Sequence, residues 1–262
     1  MNTDFEILPI TQAIISFALA YLIGSIPMGF IVARIAAGMD IREHGSGNIG
    51  LTNVIRTLGW GPGIITGVLD FLKGYIPVIL VITSFSPRDF GSVAAIYELI
   101  VIIASLLLIL GNLFPVYLLF KGGKGVATGL GVLSALMGVY VFIPLAVFGI
   151  FIGFFRFVSI ASMAAALSAP LAVVFLKPYI TFTQESTSAF IILLVFTSAV
   201  ALLVIWRHRS NLIRLSKGTE PRIGDGKSKP AREEKIIISA EGNGKSSPGI
   251  EAERTDEVEE SV

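Results

Sequence analysis

Six long apolar stretches, at about 11–37, 62–84, 93–112, 126–155, 158–176 and 189–206, constrain this chain more than any other feature. At ~1.5 Å per residue, most of them match a hydrocarbon core about 30 Å thick. In such a core each backbone N–H and C=O must be satisfied within its own segment, so the stretches are read as helices. The expected fold is all-α, a polytopic integral membrane helical bundle. Composition agrees: 53% of residues are apolar and 15% charged, against about 45–50% and about 25% in soluble proteins.

The stretch 126–155 is too long for one upright helix, and Pro144 and several glycines interrupt it. It is expected to form two short spans folded back on each other, which makes about seven spans. Charge placement supports that count. Lys and Arg gather at Arg42 and Arg56, at Lys121 and Lys124, at Arg156, and at Arg207, Arg209, Arg214 and Lys217. The positive-inside rule wants all four groups cytoplasmic. With the N-terminus outside, only an even number of crossings between Lys124 and Arg156 keeps the later groups and the C-terminus inside. Asp4 and Glu6 precede the first apolar run, which continues for roughly 20 residues or more, so it reads as a retained span and not a cleaved leader.

After Glu220 the composition shifts to Gly, Ser, Pro, Lys and Glu. Such a segment buries too little apolar surface to offset its ordering entropy. Residues 1–222 are therefore expected to form the membrane domain and 223–262 a disordered, acidic and polar cytoplasmic tail.

The chain has no cysteine and two histidines, which excludes disulfides, thiolate zinc sites and a cysteine nucleophile, and leaves too little nitrogen for a histidine-rich metal cluster. Neither a metal nor a cofactor is expected, nor a nucleic-acid partner; protein partners are left open. Chemistry falls to Ser, Lys, Arg, Asn and backbone amides.

Three polar, glycine-rich segments share the predicted cytoplasmic face. In the first, Gly45, Gly47 and Gly50 surround His44, Ser46 and Asn48, with Thr52, Asn53 and Arg56 following. Glycines let backbone amides approach a ligand closely. A helix cap would need only one Ser or Asn, so ligand contact is the favoured reading. The second is Lys121, Gly122, Gly123, Lys124 and Gly125 before Val126 and Thr128. Glycine amides, a helix N-terminus and lysines together form an anion site. A positive-inside anchor would not require the glycines, and Leu118 with Gly125 breaks the Walker A pattern. The third follows the last stretch, where a helix would place His208 and Asn211 on one face at i, i+3 and would let Arg207 and Arg214 meet lipid phosphates. Asp70 and Lys73, also at i, i+3, are read as a structural ion pair within a span. Arg156, Ser159 and Ser162 make a lesser polar face.

These motifs, with Gly24-Ser25-Ile26-Pro27, Phe114-Pro115 and Gly218-Thr219-Glu220, resemble the bacterial acyl-phosphate:glycerol-3-phosphate acyltransferase family, PlsY, over about residues 12–222. The resemblance implies an enzyme of the bacterial plasma membrane with its site on the cytoplasmic face. It would transfer a fatty acyl group from acyl phosphate to the 1-hydroxyl of glycerol 3-phosphate. The products would be lysophosphatidic acid and phosphate, the first step of phospholipid synthesis. It further implies catalytic roles for Ser46, Arg56, Lys124, His208 and Asn211, a phosphate-binding role for Lys121 to Gly125, and a structural one for Glu220. Asn112 and Ser210 depart from the pattern, which usually has histidine and glutamate there, and replacing Asn112 is accordingly expected to matter little.

An acyl phosphate is already activated, so the protein needs only to place a hydroxyl beside the carbonyl and neutralise two phosphates. No histidine is followed by Asp five residues later, since His44 leads to Ile49 and His208 to Ile213. The leaving phosphate is then the expected proton acceptor, and Ser46 orients substrate without being acylated. The competing class is a membrane transporter of a phosphate ester, in which broken helices with cationic ends also bind anions. A carrier, however, expects related repeats around a midplane site.

Overall fold

The computed structural model describes residues 4–85, 95–175 and 187–224. The described residues form ten α-helices and no strand. They are α1 (Asp4–Ser25), α2 (Met28–Ala37), α3 (Leu51–Leu58), α4 (Trp60–Ser84), α5 (Ala95–Leu113), α6 (Val126–Met137), α7 (Phe142–Phe155), α8 (Val158–Phe175), α9 (Thr187–Arg207) and α10 (Arg209–Ser216).

Among the described residues, six segments are long and apolar enough to cross a membrane, against about seven spans expected, and the difference lies in how the 126–155 stretch counts. That stretch breaks as expected: Gly138 takes φ +54° and a 3-10 turn covers Gly138–Val141. The resulting helices have 12 and 14 residues, about 18 and 21 Å at ~1.5 Å per residue, each shorter than a hydrocarbon core. They do not pair along their length. α6 packs against α4, and α7 against α8. The first stretch also departs from expectation, because Pro27 divides it into α1 and α2. Pro cannot donate to the helix ladder, and the residue before it is turned away from helical geometry.

Lipid tails are as apolar as leucine, so membrane helices associate where small residues let backbones approach. α4 and α6 meet in this way: a Cβ at Gly74 would collide with the Thr128 carbonyl, and one at Gly131 with the Phe71 carbonyl. α1 and α5 use Gly24 against the Leu108 carbonyl and Gly111 against the Tyr21 carbonyl. Val101, Leu108, Val132, Met137 and Leu193 are fully buried at the centre. Outward-facing apolar residues such as Ile14, Leu80, Leu171 and Leu202 are more than half exposed, as expected of a surface solvated by lipid.

At the expected boundary between membrane domain and tail, the chain is held against the end of α7. Ile223 donates its N–H to the Arg156 carbonyl at 2.8 Å, and its own carbonyl accepts from Arg156 Nη2 at 2.5 Å. The Arg222 guanidinium lies 5.0 Å from the centre of the Phe157 ring. Residues 225–262, where the rest of the tail was expected, lie outside the described residues.

Candidate active site

The first polar loop runs between α2 and α3. Asp40 caps the 3-10 turn over Ile41–Glu43, accepting from the Arg42 N–H at 3.0 Å and Arg42 Nη2 at 2.6 Å. The Arg42 hydrogen bond outweighs desolvation and holds the Asp40 carboxyl down to about 2. Gly45 and Gly47 then take φ +57° and +69°, conformations that a Cβ disfavours. Asn53 of α3 holds this loop together. Its Nδ2 donates to the carbonyls of His44 at 3.0 Å and Asn48 at 2.8 Å, and its Oδ1 accepts from the Ser46 N–H at 2.8 Å. Expected at the ligand, Asn53 is instead 98% buried with its amide engaged in loop structure. Asn48 similarly accepts from the Gly50 N–H at 2.9 Å. Ser46 is left exposed on a fixed backbone, its hydroxyl without a partner among the described residues.

The second loop enters α6. Leu119 and Phe120 take φ +51° and +63° and turn the chain. The Gly123 N–H donates to the Asn112 carbonyl at 3.0 Å, and Arg207 Nη2 donates to the carbonyls of Gly122 at 2.9 Å and Gly123 at 2.6 Å. The Arg207 bonds engage the loop's carbonyls, and Asn112 takes up the Gly123 amide. Gly125 caps α6 without any side-chain hydrogen bond, so first-turn amides point out with the positive end of the helix dipole.

The third segment closes the site. Lys124 Nζ donates to Asn211 Oδ1 at 2.5 Å, and Asn211 Nδ2 to Glu220 Oε1 at 2.6 Å. Ser159 Oγ reaches the same Glu220 oxygen at 3.0 Å, while Arg214 Nε donates to Glu220 Oε2 at 2.8 Å. Glu220 thus joins α8, α10 and, through Asn211, the lysine loop. Burial, opposed by Glu220 and reinforced by Arg214, Arg56 and Arg207, lowers the Lys124 ammonium to about 8. Burial also lowers the Arg56 pKa, against the attraction of Glu220.

His208 precedes the first residue of α10 and stands three residues before Asn211, both of them buried. It sits at the joint between α9 and α10, 1% exposed, and its carbonyl accepts the Asn211 N–H at 2.9 Å. Its Nδ1 lies 2.7 Å from the Val204 carbonyl. A carbonyl can only accept, so Nδ1 carries the proton and Nε2 is the open nitrogen. Burial, with the Lys124 charge next, lowers His208 to about 4 and leaves it neutral near pH 7. Arg207 and Arg214, expected at lipid phosphates, both turn inward to the contacts above.

The loops adjoin. A Cβ added at Gly123 would lie 3.6 Å from an Ile49 side-chain carbon and 3.9 Å from Asn48 Oδ1. Serine loop, lysine loop and third segment therefore meet in one site where Arg56, Lys124 and Arg214 act on Glu220 and Arg207 adds its charge beside Lys124. Cations in that excess suit phosphate. Lys121 is exposed at the loop's entrance, and Thr128 is completely buried where α6 meets Gly74, a packing position. Sequence reasoning gave too little weight to Asn112, which is buried beneath the lysine loop. Its position just before Phe114-Pro115 was the available signal.

Comparison with known proteins places this geometry. Residues 14–218 match the family described as glycerol-3-phosphate acyltransferase. A glycerol-3-phosphate acyltransferase of Endomicrobium trichonymphae is 41% identical over 80% of this chain and 95% of its own. One of Acaryochloris marina is 38% identical over 79% and 91%. Two crystal structures of PlsY (YgiH), an integral membrane glycerol 3-phosphate acyltransferase, in its glycerol 3-phosphate and lysophosphatidic acid forms, match with TM-scores of 0.68 and 0.65. Each is 36% identical and aligns with 81% of this chain and 96% of that one. The glycines that make the close helix contacts, the paired polar loops and the cation-rich junction at Glu220 all lie inside the matched region or within two residues of it, and the chain belongs to the glycerol-3-phosphate acyltransferase family.

Proposed function

We infer that this chain transfers a fatty acyl group from acyl phosphate to the 1-hydroxyl of glycerol 3-phosphate. The products are lysophosphatidic acid (1-acylglycerol 3-phosphate) and inorganic phosphate, and the reaction is the first step of phospholipid synthesis. Membership in the family supports this reading, as does the likeness to PlsY in forms holding glycerol 3-phosphate and lysophosphatidic acid. The observation that carries the mechanism is the junction of Lys124, Asn211 and Glu220 beside Arg56, in contact with the serine loop through Gly123.

Two phosphates have to be neutralised while a hydroxyl approaches a carbonyl. In this reading Ser46 and Arg56 hold the acyl phosphate, with the Gly45 amide near its oxygens, the Gly47 amide holding the turn through the His44 carbonyl, and His44, Asn48 and Thr52 at the rim. Lys124 and the amides of Gly122 and Gly125 hold the acceptor's phosphate, with the Gly123 amide anchoring the loop on Asn112 and Lys121 drawing the phosphate in from the entrance. The acceptor hydroxyl attacks the acyl carbon, the C–O bond to phosphate breaks, and the departing phosphate takes the hydroxyl proton. Asn211 fixes the direction of the Lys124 ammonium, and His208, through its carbonyl, and Glu220 hold Asn211 in turn. Bringing both substrates together supplies most of the acceleration, because the donor is already activated.

The enzyme is placed in the bacterial plasma membrane, among lipids that accept its product, with this site on the cytoplasmic face where glycerol 3-phosphate is found. A carrier is the weaker reading, since the polar loops lie at helix ends and not around a midplane site between repeats. The test is purified protein supplied with glycerol 3-phosphate and either acyl phosphate or acyl-CoA. Lysophosphatidic acid and phosphate should form in equal amounts from acyl phosphate. Absence of product from it would overturn the assignment.

A further inference from the structure

Beneath the site lies a buried cation that the mechanism above does not use. Lys73 of α4 is 5% exposed. Its Nζ donates to the Ile26 carbonyl at 2.7 Å and to Asn112 Oδ1 at 2.8 Å, and the Asp70 carboxylate is its ion-pair partner at 2.7 Å. The three oxygens come from three places in the fold: the break between α1 and α2, the end of α5, and α4 itself.

Two of these places lead directly to the substrate loops. Asn112, whose side chain accepts from Lys73, also accepts the Gly123 N–H at its carbonyl at 3.0 Å. A Cβ at Gly122 would collide with that same carbonyl, so the lysine loop lies flat on the end of α5. Ile26 stands two residues before α2, and a Cβ at Gly29 in its first turn would collide with the Ile49 carbonyl of the serine loop. One ammonium therefore ties together the two supports on which the loops rest.

We propose that Lys73 is a positioning residue that sets the spacing between the serine loop and the lysine-glycine loop. This rests on the reading that each loop holds one substrate. Each subsite is built from its own residues, so loosening the tether leaves either substrate bound but displaces the hydroxyl from the acyl carbon. Errors near 1 Å in such a placement cost roughly a hundredfold in rate. A buried ion pair is otherwise weak evidence for stability, since apolar residues often replace one without loss. What an apolar pair here would not reproduce is the contact to Asn112 and Ile26.

The test uses the full-length enzyme in lipid nanodiscs. Lys73→Met alone strands the Asp70 carboxylate and invites misfolding, so it is made together with Asp70→Asn. Asn112→Leu is made separately, cutting only the tether's Asn112 arm. Both should lower kcat by roughly ten- to a hundredfold while the KM for acyl phosphate and calorimetric binding of glycerol 3-phosphate stay within about threefold. Asn112→Asp keeps an oxygen acceptor of the same shape and should retain most of kcat. Unchanged kcat with only a lower melting temperature would overturn the proposal, as would loss of glycerol 3-phosphate binding in both variants. If the double variant does not fold, Asn112→Leu decides. Failure of the underlying reading would look different: wild-type enzyme would form no product from acyl phosphate, or Lys124→Ala would leave kinetics normal.

Discussion

The Lys124 ammonium and the Asn211 side-chain carbonyl, 87 residues apart in sequence, lie 2.5 Å apart in the structure. Asn211 is itself held by Glu220, so the direction of the lysine charge is set from the far end of the chain. Lys124→Ala should weaken use of glycerol 3-phosphate about ten- to hundredfold, since a charge-assisted contact to phosphate contributes roughly 1.5–3 kcal/mol. Gly123→Ala is the cleaner probe of the loop backbone. Its Cβ would meet neighbours at 3.4 Å or more, whereas Gly125 has φ +76° and a Leu113 carbon in the way. Folded Gly123→Ala should therefore raise the KM for glycerol 3-phosphate with little change in kcat. Steady-state kinetics of both variants checks this, and normal values in both would reduce the loop to a membrane anchor.

The pH dependence follows from the same lysine. Burial lowers its ammonium to about 8. Phosphate retention is therefore complete below that value and is lost as the proton leaves with rising pH. The KM for glycerol 3-phosphate should climb from about pH 8 upward. In Lys124→Arg, a guanidinium that stays charged throughout this range should flatten the alkaline rise even if kcat falls. His208, held at about 4, should contribute no inflection between pH 6 and 8. An alkaline limb unaltered by the arginine would show that another group titrates.

Much of this was legible because membrane insertion and glycine chemistry both leave local marks. Apolar length located the spans, and the polar glycine segments pointed to the three segments that the structure brings together in the candidate site. Proximity across the sequence was not legible. Asn53 looks like a ligand residue until its amide is seen bonded to His44, Asn48 and Ser46, and Arg207 and Arg214 look like lipid anchors until they turn inward. Asn112 was judged by departure from a pattern, whereas its burial and its contacts with Lys73 and Gly123 are tertiary facts. The 126–155 stretch divides at Gly138, while Pro144, also expected to interrupt it, lies inside α7, and which neighbours the halves chose depended on matching surfaces of α4 and α8.

Orientation rests on charge placement alone and is open to a direct test. The basic groups predict the N-terminus outside, and residues 40–60, 113–125 and 207–262 cytoplasmic. The chain contains no cysteine, so single introduced cysteines report without background. In intact cells, a membrane-impermeant thiol reagent should label a cysteine placed at Ser86 and should not label one at Ser247. Labelling at Ser247 from outside would invert the topology.

Ser46 separates two chemistries. Its hydroxyl is exposed and unpartnered among the described residues, while its backbone N–H is fixed by Asn53 at 2.8 Å. A serine nucleophile needs a nearby base, usually a histidine oriented by a third group. The buried His208 sits on the lysine side of the site, its Nδ1 engaged by the Val204 carbonyl and not by a carboxylate. Direct attack needs no such base, because acyl phosphate already carries a good leaving group. With acyl phosphate supplied alone, no acyl group should accumulate on the protein and no burst of phosphate should precede addition of glycerol 3-phosphate. Ser46→Ala should lose most activity yet still bind glycerol 3-phosphate, since that phosphate is assigned to Lys124 and its glycines. Rapid quench followed by intact-protein mass spectrometry decides the matter. An acyl-Ser46 species forming and decaying at the rate of turnover would replace direct attack with a two-step mechanism.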